Sequence, residues 1–127
     1  MPGRGGRQRP VPGQALTMRV RREPGHVLVT VAGEIDIATV AQLEKQLSAL
    51  AVAGDTVLAD LTQVSFIDAA GLRALGRAAG QAAAHGGSLH AICGRDHILR
   101  LFHLTGLDRR IPVARTLTEA LQSDQRS

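Results

Sequence analysis

Strand-like segments and helix-like segments alternate along this chain, and the alternation restricts the possible folds more than any other feature of the sequence. In order, the pattern predicts two strands, then a helix, and then three further strands that are each followed by a helix. Strands joined through a helix pair in parallel by right-handed crossovers, whereas the first two strands, joined by the turn Glu23-Pro24-Gly25, pair antiparallel. The sequence therefore predicts an α/β fold with a mixed, mostly parallel sheet of about 4–5 strands and about 4 helices.

The strands are predicted from two patterns. Leu16, Met18 and Val20 alternate with polar residues, which is typical of a half-buried strand. The next segment, 26–32, is apolar almost throughout and rich in β-branched residues, which indicates burial on both faces. The predicted strands are 16–21, 26–32, 56–61, 88–93 and 110–113.

The helices are predicted from apolar residues at helical spacing. In the first helix these are Val40, Leu43, Leu47 and Leu50. In the second helix the predicted buried stripe is Leu72, Leu75, Ala79 and Ala82, with Arg73, Arg77 and Gln81 outside, and Gly86-Gly87 ends it. The predicted helices are 38–53, 70–84, 96–104 and 117–121.

The composition is that of a single domain with an aliphatic core. Hydrophobic residues make up 44% of the 127 residues, but Phe66 and Phe102 are the only aromatic residues among phenylalanine, tyrosine and tryptophan. That length and apolar content suit one core. The domain is expected to span residues 16–122, between a disordered basic tail at 1–15 and a disordered C-terminal end at 123–127.

Much of the net charge of +4 comes from the N-terminal tail. Arg4, Arg7 and Arg9 stand there among glycine, proline and glutamine, without an acidic residue, so the rest of the chain is nearly balanced. A basic arm can attract phosphate irrespective of sequence, but this composition is more typical of a solvated disordered segment. We therefore predict no specific nucleic-acid partner, while binding of nucleic acid by the tail stays open as a hypothesis.

Cys93 is the only cysteine, so an internal disulfide is excluded and a reducing compartment is indicated. It is expected to be a small buried residue at the end of a strand. No apolar run approaches the ~20 residues of a membrane-spanning helix. The arginine-containing start also lacks the apolar stretch of a secretory signal. The sequence therefore predicts a cytoplasmic protein without membrane insertion.

The residues that commonly carry catalysis or bind metals do not form a recognisable set. The histidines do not stand in a metal-binding spacing, with His97 and His103 six residues apart on different faces of a predicted helix. There is no Gly-x-Ser-x-Gly motif, and Cys93 lacks a catalytic partner. We predict no catalytic residues, no metal site, no cofactor and no enzymatic activity.

The segment 60–72 reads Asp-Leu-Thr-Gln-Val-Ser-Phe-Ile-Asp-Ala-Ala-Gly-Leu and connects a predicted buried strand to a helix start. It resembles the signature of the STAS domain family, particularly of the bacterial anti-sigma factor antagonists, in which a strand ending in Asp-Leu runs into Phe-Ile-Asp-Ser-Ser-Gly-Leu. Gly33-Glu34-Ile35-Asp36 likewise resembles the Gly-Glu-Leu-Asp stretch before the first helix of those proteins. The resemblance covers roughly residues 16–122 and implies the STAS fold.

The resemblance implies a protein that binds an anti-sigma factor, of the serine-kinase type in this family, and so releases a sigma factor. In the family the first serine after the aspartate is phosphorylated, and the added charge ends binding. Here that position is Ala69, so the resemblance implies an antagonist that is constitutively competent to bind. Natural loss of the site, an engineered substitution and transfer of control elsewhere remain alternatives. Thr62 and Ser65 are nearby hydroxyls, but Ser65 lies between Val64 and Phe66, which are expected to be packed.

The two family-like segments are expected to form one contact surface, because open sheets place binding sites at the carboxyl ends of their strands. Asp68 is expected to cap the second helix, and Asp60 to order the preceding segment. The predicted partner-binding residues form an acidic rim, a helix start and a basic strip: Glu34, Asp36, Asp68, Ala69, Ala70, Gly71, Arg73 and Arg77.

A second class of function stays open. STAS domains also serve as subunits of transport assemblies and as scaffolds in stress-sensing complexes, where a phosphorylatable residue is not always needed. A neighbouring gene for an anti-sigma or sigma factor would favour the first class, and one for a transport ATPase the second. The oligomeric state is predicted to be a monomer or a weak homodimer.

Overall fold

The computed structural model describes residues 16–126, with side chains up to Gln122. The predicted tail at 1–15 lies outside the described residues. The strands are β1 (Thr17–Glu23), β2 (His26–Ile35), β3 (Thr56–Ile67), β4 (Ser88–Ile92) and β5 (Val113–Ala114). The helices are α1 (Val40–Val52), α2 (Ala69–Ala84), α3 (Asp96–Leu104) and α4 (Leu117–Arg126), and one turn of 3-10 helix lies at Leu107–Arg109.

The strands form one sheet in sequential order, β1-β2-β3-β4-β5. β1 pairs antiparallel with β2, and every other neighbouring pair is parallel. A helix connects each parallel pair, as a parallel crossover requires. The predicted architecture, a mixed and mostly parallel sheet with four helices, is confirmed within the described residues.

The main core lies on the face of the sheet that carries α1 and α2. Val27, Val29 and Val31 of β2 are buried there, together with Leu43 of α1 and Leu75 of α2. All four residues of the predicted stripe of α2 are buried, because their spacing keeps them on one side of the helix.

The opposite face holds a smaller core beneath α4. Leu28, Leu58 and Ile92 come from three adjacent strands and pack with Ala120 of α4. Leu28 thus points away from its neighbours in β2, as residues one apart in a strand do. Burial on both faces explains why this strand is apolar throughout in the sequence, as predicted.

β3 is longer than predicted, and this is the main correction to the expected elements. Residues 62–67 were predicted to be a loop between the strand and the second helix. In the structure they continue the strand and pair with β2. β2 itself runs to Ile35, so Gly33-Glu34-Ile35 is strand as well. Two bulges, between Thr30 and Ala32 and between Gly33 and Glu34, each place one extra residue in β3. Bulges break the period of two, so the alternation that identifies a strand is missing here.

The C-terminal elements also differ from the prediction. The last strand is β5, Val113–Ala114, instead of 110–113, because Ile111 is buried in the main core and precedes the pairing with β4. α4 continues past its predicted last residue, Leu121, into the segment for which a disordered end was expected. Thr116 caps its start, since Glu119 N donates to Thr116 Oγ1 at 3.1 Å, and the Glu119 carboxylate accepts the amide of Arg115, the residue before Thr116, at 3.0 Å.

Candidate functional site

The carboxyl ends of β2 and β3 lie side by side and bring the two family-like segments together. Ile35 and Ile67 are register partners, and the amide of Asp68 donates to the carbonyl of Ile35 at 3.1 Å. Each isoleucine is followed by an aspartate, so Asp36 and Asp68 leave the same edge of the sheet. The adjacency of these two segments follows from the parallel pairing of their strands.

Asp36 stabilises a turn between β2 and α1. Its carboxylate accepts the amides of Ala38 and Thr39 at 3.0 and 3.1 Å. The buried hydroxyl of Thr39 accepts the Asp36 amide at 3.0 Å and donates to the carbonyl of Glu34 at 2.9 Å. The turn is thus tied back to the strand it leaves. Asp36 therefore has a structural role whether or not it also contacts a partner.

Asp68 caps α2, as its position in the sequence suggests. Its carboxylate accepts the amide of Gly71 at 3.1 Å, inside the first turn of the helix. A negative charge at this end also complements the positive end of the helix dipole. Ala69, the first residue of α2, is exposed, whereas Ala70 is buried. The methyl group of Ala69 therefore faces solvent in the first turn of α2.

Gly71 allows α2 to begin directly against the strand ends. A Cβ atom there would lie 2.6 Å from Ile35 Cγ2 and 2.7 Å from Ile67 Cγ1, which is closer than carbon atoms approach. Both isoleucines are almost fully buried and have little room to move. The glycine is therefore required by packing, in addition to any contact with a partner.

The predicted basic strip on α2 consists of two arginines in different situations. Arg73 and Arg77 are both exposed and one turn apart. Arg77 forms an ion pair with Glu44 of α1, with Nε 3.0 Å from the carboxylate. Arg73 makes no hydrogen bond or ion pair with the residues that the structure describes. Both arginines of the predicted strip are thus exposed, and of the two only Arg73 is without a partner among the residues that the structure describes.

A cleft of about 460 Å³, which we call the arginine cleft, lies between α2 and the helical turn at Leu107–Arg109. Ala69 lines it at the start of α2. Arg110 crosses it and donates from Nη2 to the carbonyl of Gly76 at 2.8 Å. Sequence reasoning missed Arg110, because no pattern relates it to a helix 34 residues earlier. The other residues that line the cleft are Leu72, Arg73, Gly76, Arg77, Thr105 and Leu107.

Two exposed apolar side chains lie near the carboxyl ends of β2 and β3. Phe66 is 46% exposed, so the expectation that it is packed is wrong, whereas Val64 is fully buried as expected. The second bulge of β3 explains the difference, because it shifts Phe66 out of the alternation that buries Val64 and Ile67. Ile37 is 77% exposed in the turn before α1. These two residues were not among the predicted contact residues. An apolar residue that belongs to none of the predicted buried stripes could have indicated an exposed contact.

The nearby hydroxyls are held by local contacts. Asp60 accepts both the amide and the hydroxyl of Thr62, at 2.9 and 2.6 Å, at the first bulge, in line with the ordering role expected for this carboxylate. Ser65 is exposed, and its hydroxyl lies 3.4 Å from the carbonyl of Gly33. The carbonyl of Ser65 contacts His97 Nε2 of α3 at 3.2 Å. These contacts stabilise the bulged half of β3.

Other candidate chemistry lies away from this surface. Cys93 is buried in the main core, and burial raises the pKa of its thiol. His103 pairs with Asp108 at 3.1 Å on the surface. Across the described part of the chain, histidine, cysteine and acidic residues do not gather in a group of three or more that could hold a metal ion. Within the same residues, no helix is both long and apolar enough to cross a membrane.

The chain is similar to known proteins over nearly all of this domain. The STAS domain family matches residues 17–120. Anti-sigma-F factor antagonist RsfB of Mycobacterium tuberculosis is 30% identical over 112 residues, which cover 84% of this chain and 88% of that protein. The anti-sigma-B factor antagonist of Bacillus subtilis is 29% identical over 99 residues, which cover 78% and 91%. The crystal structure of an anti-sigma factor antagonist from Mycobacterium paratuberculosis matches with a TM-score of 0.80 at 30% identity and covers 89% of this chain and 96% of its own.

Proposed function

The chain belongs to the STAS domain family, and from that premise we propose that it is an anti-sigma factor antagonist that does not depend on phosphorylation at position 69. In this proposal it binds an anti-sigma factor of the serine-kinase type and thereby releases a sigma factor. The names of the relatives support the general role. The start of α2, together with the end of β2, is the proposed contact surface.

The observation that carries the proposal is the exposed methyl group of Ala69 at an otherwise intact helix start. Asp68 caps the helix, and Gly71 seats it against Ile35 and Ile67. The geometry therefore offers a partner a fixed, uncharged position. Phe66 and Ile37, near the carboxyl ends of β3 and β2, add exposed apolar area of the kind that protein interfaces commonly bury.

The missing hydroxyl has a direct chemical consequence. A methyl group has no oxygen that could attack a phosphoryl donor, so no phosphate ester forms at Ala69. A phosphate at this place would add about −1.5 to −2 charges at neutral pH. Without it the surface keeps one electrostatic state, and binding by this chain is constitutive. Control then depends on the amount of protein or on a different site.

Calorimetric titration against purified anti-sigma factors from the genome that encodes this chain tests the proposal. The full chain is expected to bind at least one of them, and Ala69→Asp is expected to weaken binding by at least tenfold, because the carboxylate supplies part of a phosphate's charge. Ala83→Asp is the matched control. Ala83 is exposed on α2 near the other end of the helix, so the same substitution there should leave binding unchanged.

Ala69→Ser tests the link to phosphorylation. With ATP and a kinase-type anti-sigma factor, this variant should gain one phosphate and lose binding, while the unsubstituted chain gains none at this position. Intact-mass spectrometry reports both results. Absence of binding to every anti-sigma factor would contradict the proposal. Co-purification with transport or stress-sensing subunits, unaffected by Ala69→Asp, would support the scaffold role in its place.

A further inference from the structure

The arginine cleft adjoins the proposed contact surface, because Ala69 lines it, but the proposed function leaves Leu107 and Arg110 unused. Its buried part consists of Leu72, Leu107 and the backbone of Gly76, so its deeper surface is aliphatic. Its exposed part carries the guanidinium groups of Arg73, Arg77 and Arg110. A volume of about 460 Å³ lies within the range of small-ligand pockets, about 300–1,000 Å³. An apolar surface beside several cations is the arrangement that an anion with an aliphatic body complements.

The three arginines differ in how far their charge is already compensated. Arg77 is paired with Glu44. Arg73 has neither a hydrogen bond nor an ion pair to any described residue. Arg110 uses Nη2 for the carbonyl of Gly76, and a guanidinium has five N–H donors in all. Uncompensated positive charge in the cleft therefore resides on Arg73 and Arg110.

The position of Arg110 across α2 depends on a glycine. A Cβ at position 76 would lie 3.0 Å from Arg110 Nη1 and 3.5 Å from Leu107 Cδ1. Glycine inside a helix is less stabilising than alanine at the same position. A methyl group at position 76 would press on the exposed end of Arg110, which would have to move by a few tenths of an ångström, so glycine leaves room for this contact. The carboxylates nearest in sequence are engaged elsewhere: Asp68 caps α2, and Asp108 pairs with His103.

We propose that the arginine cleft binds a small carboxylate with a short aliphatic chain. The carboxylate pairs with Arg73 and Arg110, because the planar guanidinium matches its two oxygens. The chain covers Leu72 and Leu107 and removes their remaining accessible surface from water. A ligand bound here lies beside Ala69, because that residue lines the same cleft. This inference concerns the chain alone and does not depend on an anti-sigma partner.

Titration of the full-length ¹⁵N-labelled chain with sodium octanoate, followed by NMR, tests the proposal. Octanoate is expected to shift amide signals at residues 72–77 and 105–110 in a saturable manner. Octyltrimethylammonium has a similar chain with the opposite charge and should leave these signals in place. Acetate has the head without the chain and should bind at least tenfold more weakly, because the apolar contact is absent. Equal shifts with the ammonium compound, or no saturable shift with octanoate, would overturn the proposal.

A matched pair of variants sharpens the test. Arg73→Gln and Arg77→Gln remove the same charge from positions one turn apart on α2. Arg73→Gln should weaken octanoate binding about fivefold, as expected for loss of one partly exposed charge pair. Arg77→Gln should change it less than about twofold, because Glu44 already compensates that charge. Glu44→Gln should strengthen binding by freeing Arg77. All these side chains are at least partly exposed, so the variants should fold, and an unchanged affinity in Arg73→Gln would refute the assigned head-group site.

Discussion

Ile35-Asp36 and Ile67-Asp68 occupy equivalent places at the ends of neighbouring strands, yet their carboxylates stabilise different structures. Asp36 accepts amides of Ala38 and Thr39, and α1 begins only after that turn. Asp68 accepts the amide of Gly71, so α2 begins at the next residue. An aspartate after a strand therefore indicates that a helix follows, but its presence does not determine the residue at which the helix begins.

The residues after each aspartate account for the difference. Gly71 has no side chain, and this lets the first turn of α2 approach both isoleucines. Before α1, the hydroxyl of Thr39 donates to the carbonyl of Glu34 in β2, and Ile37 is exposed in the turn between them. We call the connection from β3 to α2 at Asp68 the tight junction and the connection from β2 to α1 at residues 36–39 the open junction. The tight junction holds Ala69 in a defined exposed position, whereas the open junction leaves an apolar side chain exposed. The proposed contact surface combines both kinds of display.

The largest effect is expected from Gly71→Ala, which should break the tight junction. The new Cβ would meet two buried isoleucines at 2.6 and 2.7 Å. Overpacking of this kind costs about 1–3 kcal/mol, and the helix propensity of alanine offsets up to about 1 kcal/mol. We expect a net loss of about 2 kcal/mol in the free energy of unfolding, measured by urea denaturation.

Gly80→Ala is the matched control for that variant. Gly80 is exposed on the same helix, and a Cβ there would have ordinary contact at 3.7 Å with Arg110. The control should stabilise the protein by up to about 1 kcal/mol. If both glycine variants changed the free energy of unfolding equally, close packing at Gly71 would not explain the effect of Gly71→Ala.

Thr39→Val should disturb the open junction by a somewhat smaller amount. The substitution keeps the shape of a buried residue but removes the hydroxyl that bonds Asp36 N and Glu34 O. Loss of these bonds should cost about 1–2 kcal/mol. Hydrogen exchange should show faster opening of the Asp36 amide, with α2 amides nearly unchanged. Thr39→Ser restores the hydroxyl and should recover most of the stability.

Asp68→Ala should cost about 1 kcal/mol, the typical value of a lost N-cap. Asp68→Asn keeps an acceptor oxygen and should retain most of that stability, which separates the hydrogen bond to Gly71 from the effect of charge. Thermal unfolding followed by circular dichroism measures both variants. An equal loss in the two would indicate that the charge, through the helix dipole, stabilises the start of α2.

Ala69→Ser should have the smallest effect on stability, within about 0.5 kcal/mol, since the side chain is exposed and outside the core. The same denaturation experiment measures it. A larger loss would mean that position 69 is constrained by the fold. In that case, the absence of a serine would have a structural explanation.

Much of the fold was predictable because strong local patterns agreed with each other. The parallel pairing was predicted from the alternation of strands and helices, and the buried stripe of α2 from helical spacing. The predicted bounds of α3, 96–104, also agree with the structure. The second half of β3 was not, because two bulges remove its alternation. Phe66 was misplaced for the same reason. Regular segments can be predicted because the spacing of their apolar residues follows the period of a strand or a helix. In bulged segments the extra residue interrupts that spacing.

The candidate site was partly predictable. The cap at Asp68 was predicted from the place of this residue before a helix start, whereas the exposure of Ala69 is read from the structure. The ion pair of Arg77 with Glu44 and the contact of Arg110 with Gly76 join residues 33 and 34 positions apart. Side-chain patterns within one element carry no information on such pairs, so the difference between Arg73 and Arg77 was missed.

The sequence by itself determined the α/β class, the order of elements and the absence of a hydroxyl at position 69, because these depend on local periodicity and on the residue present. Only the tertiary structure decided which arginines are compensated, why Gly71 is required and where Phe66 points. Those properties arise from contacts between elements distant in sequence, and such contacts exist only after the sheet has set the distances between helices and strands.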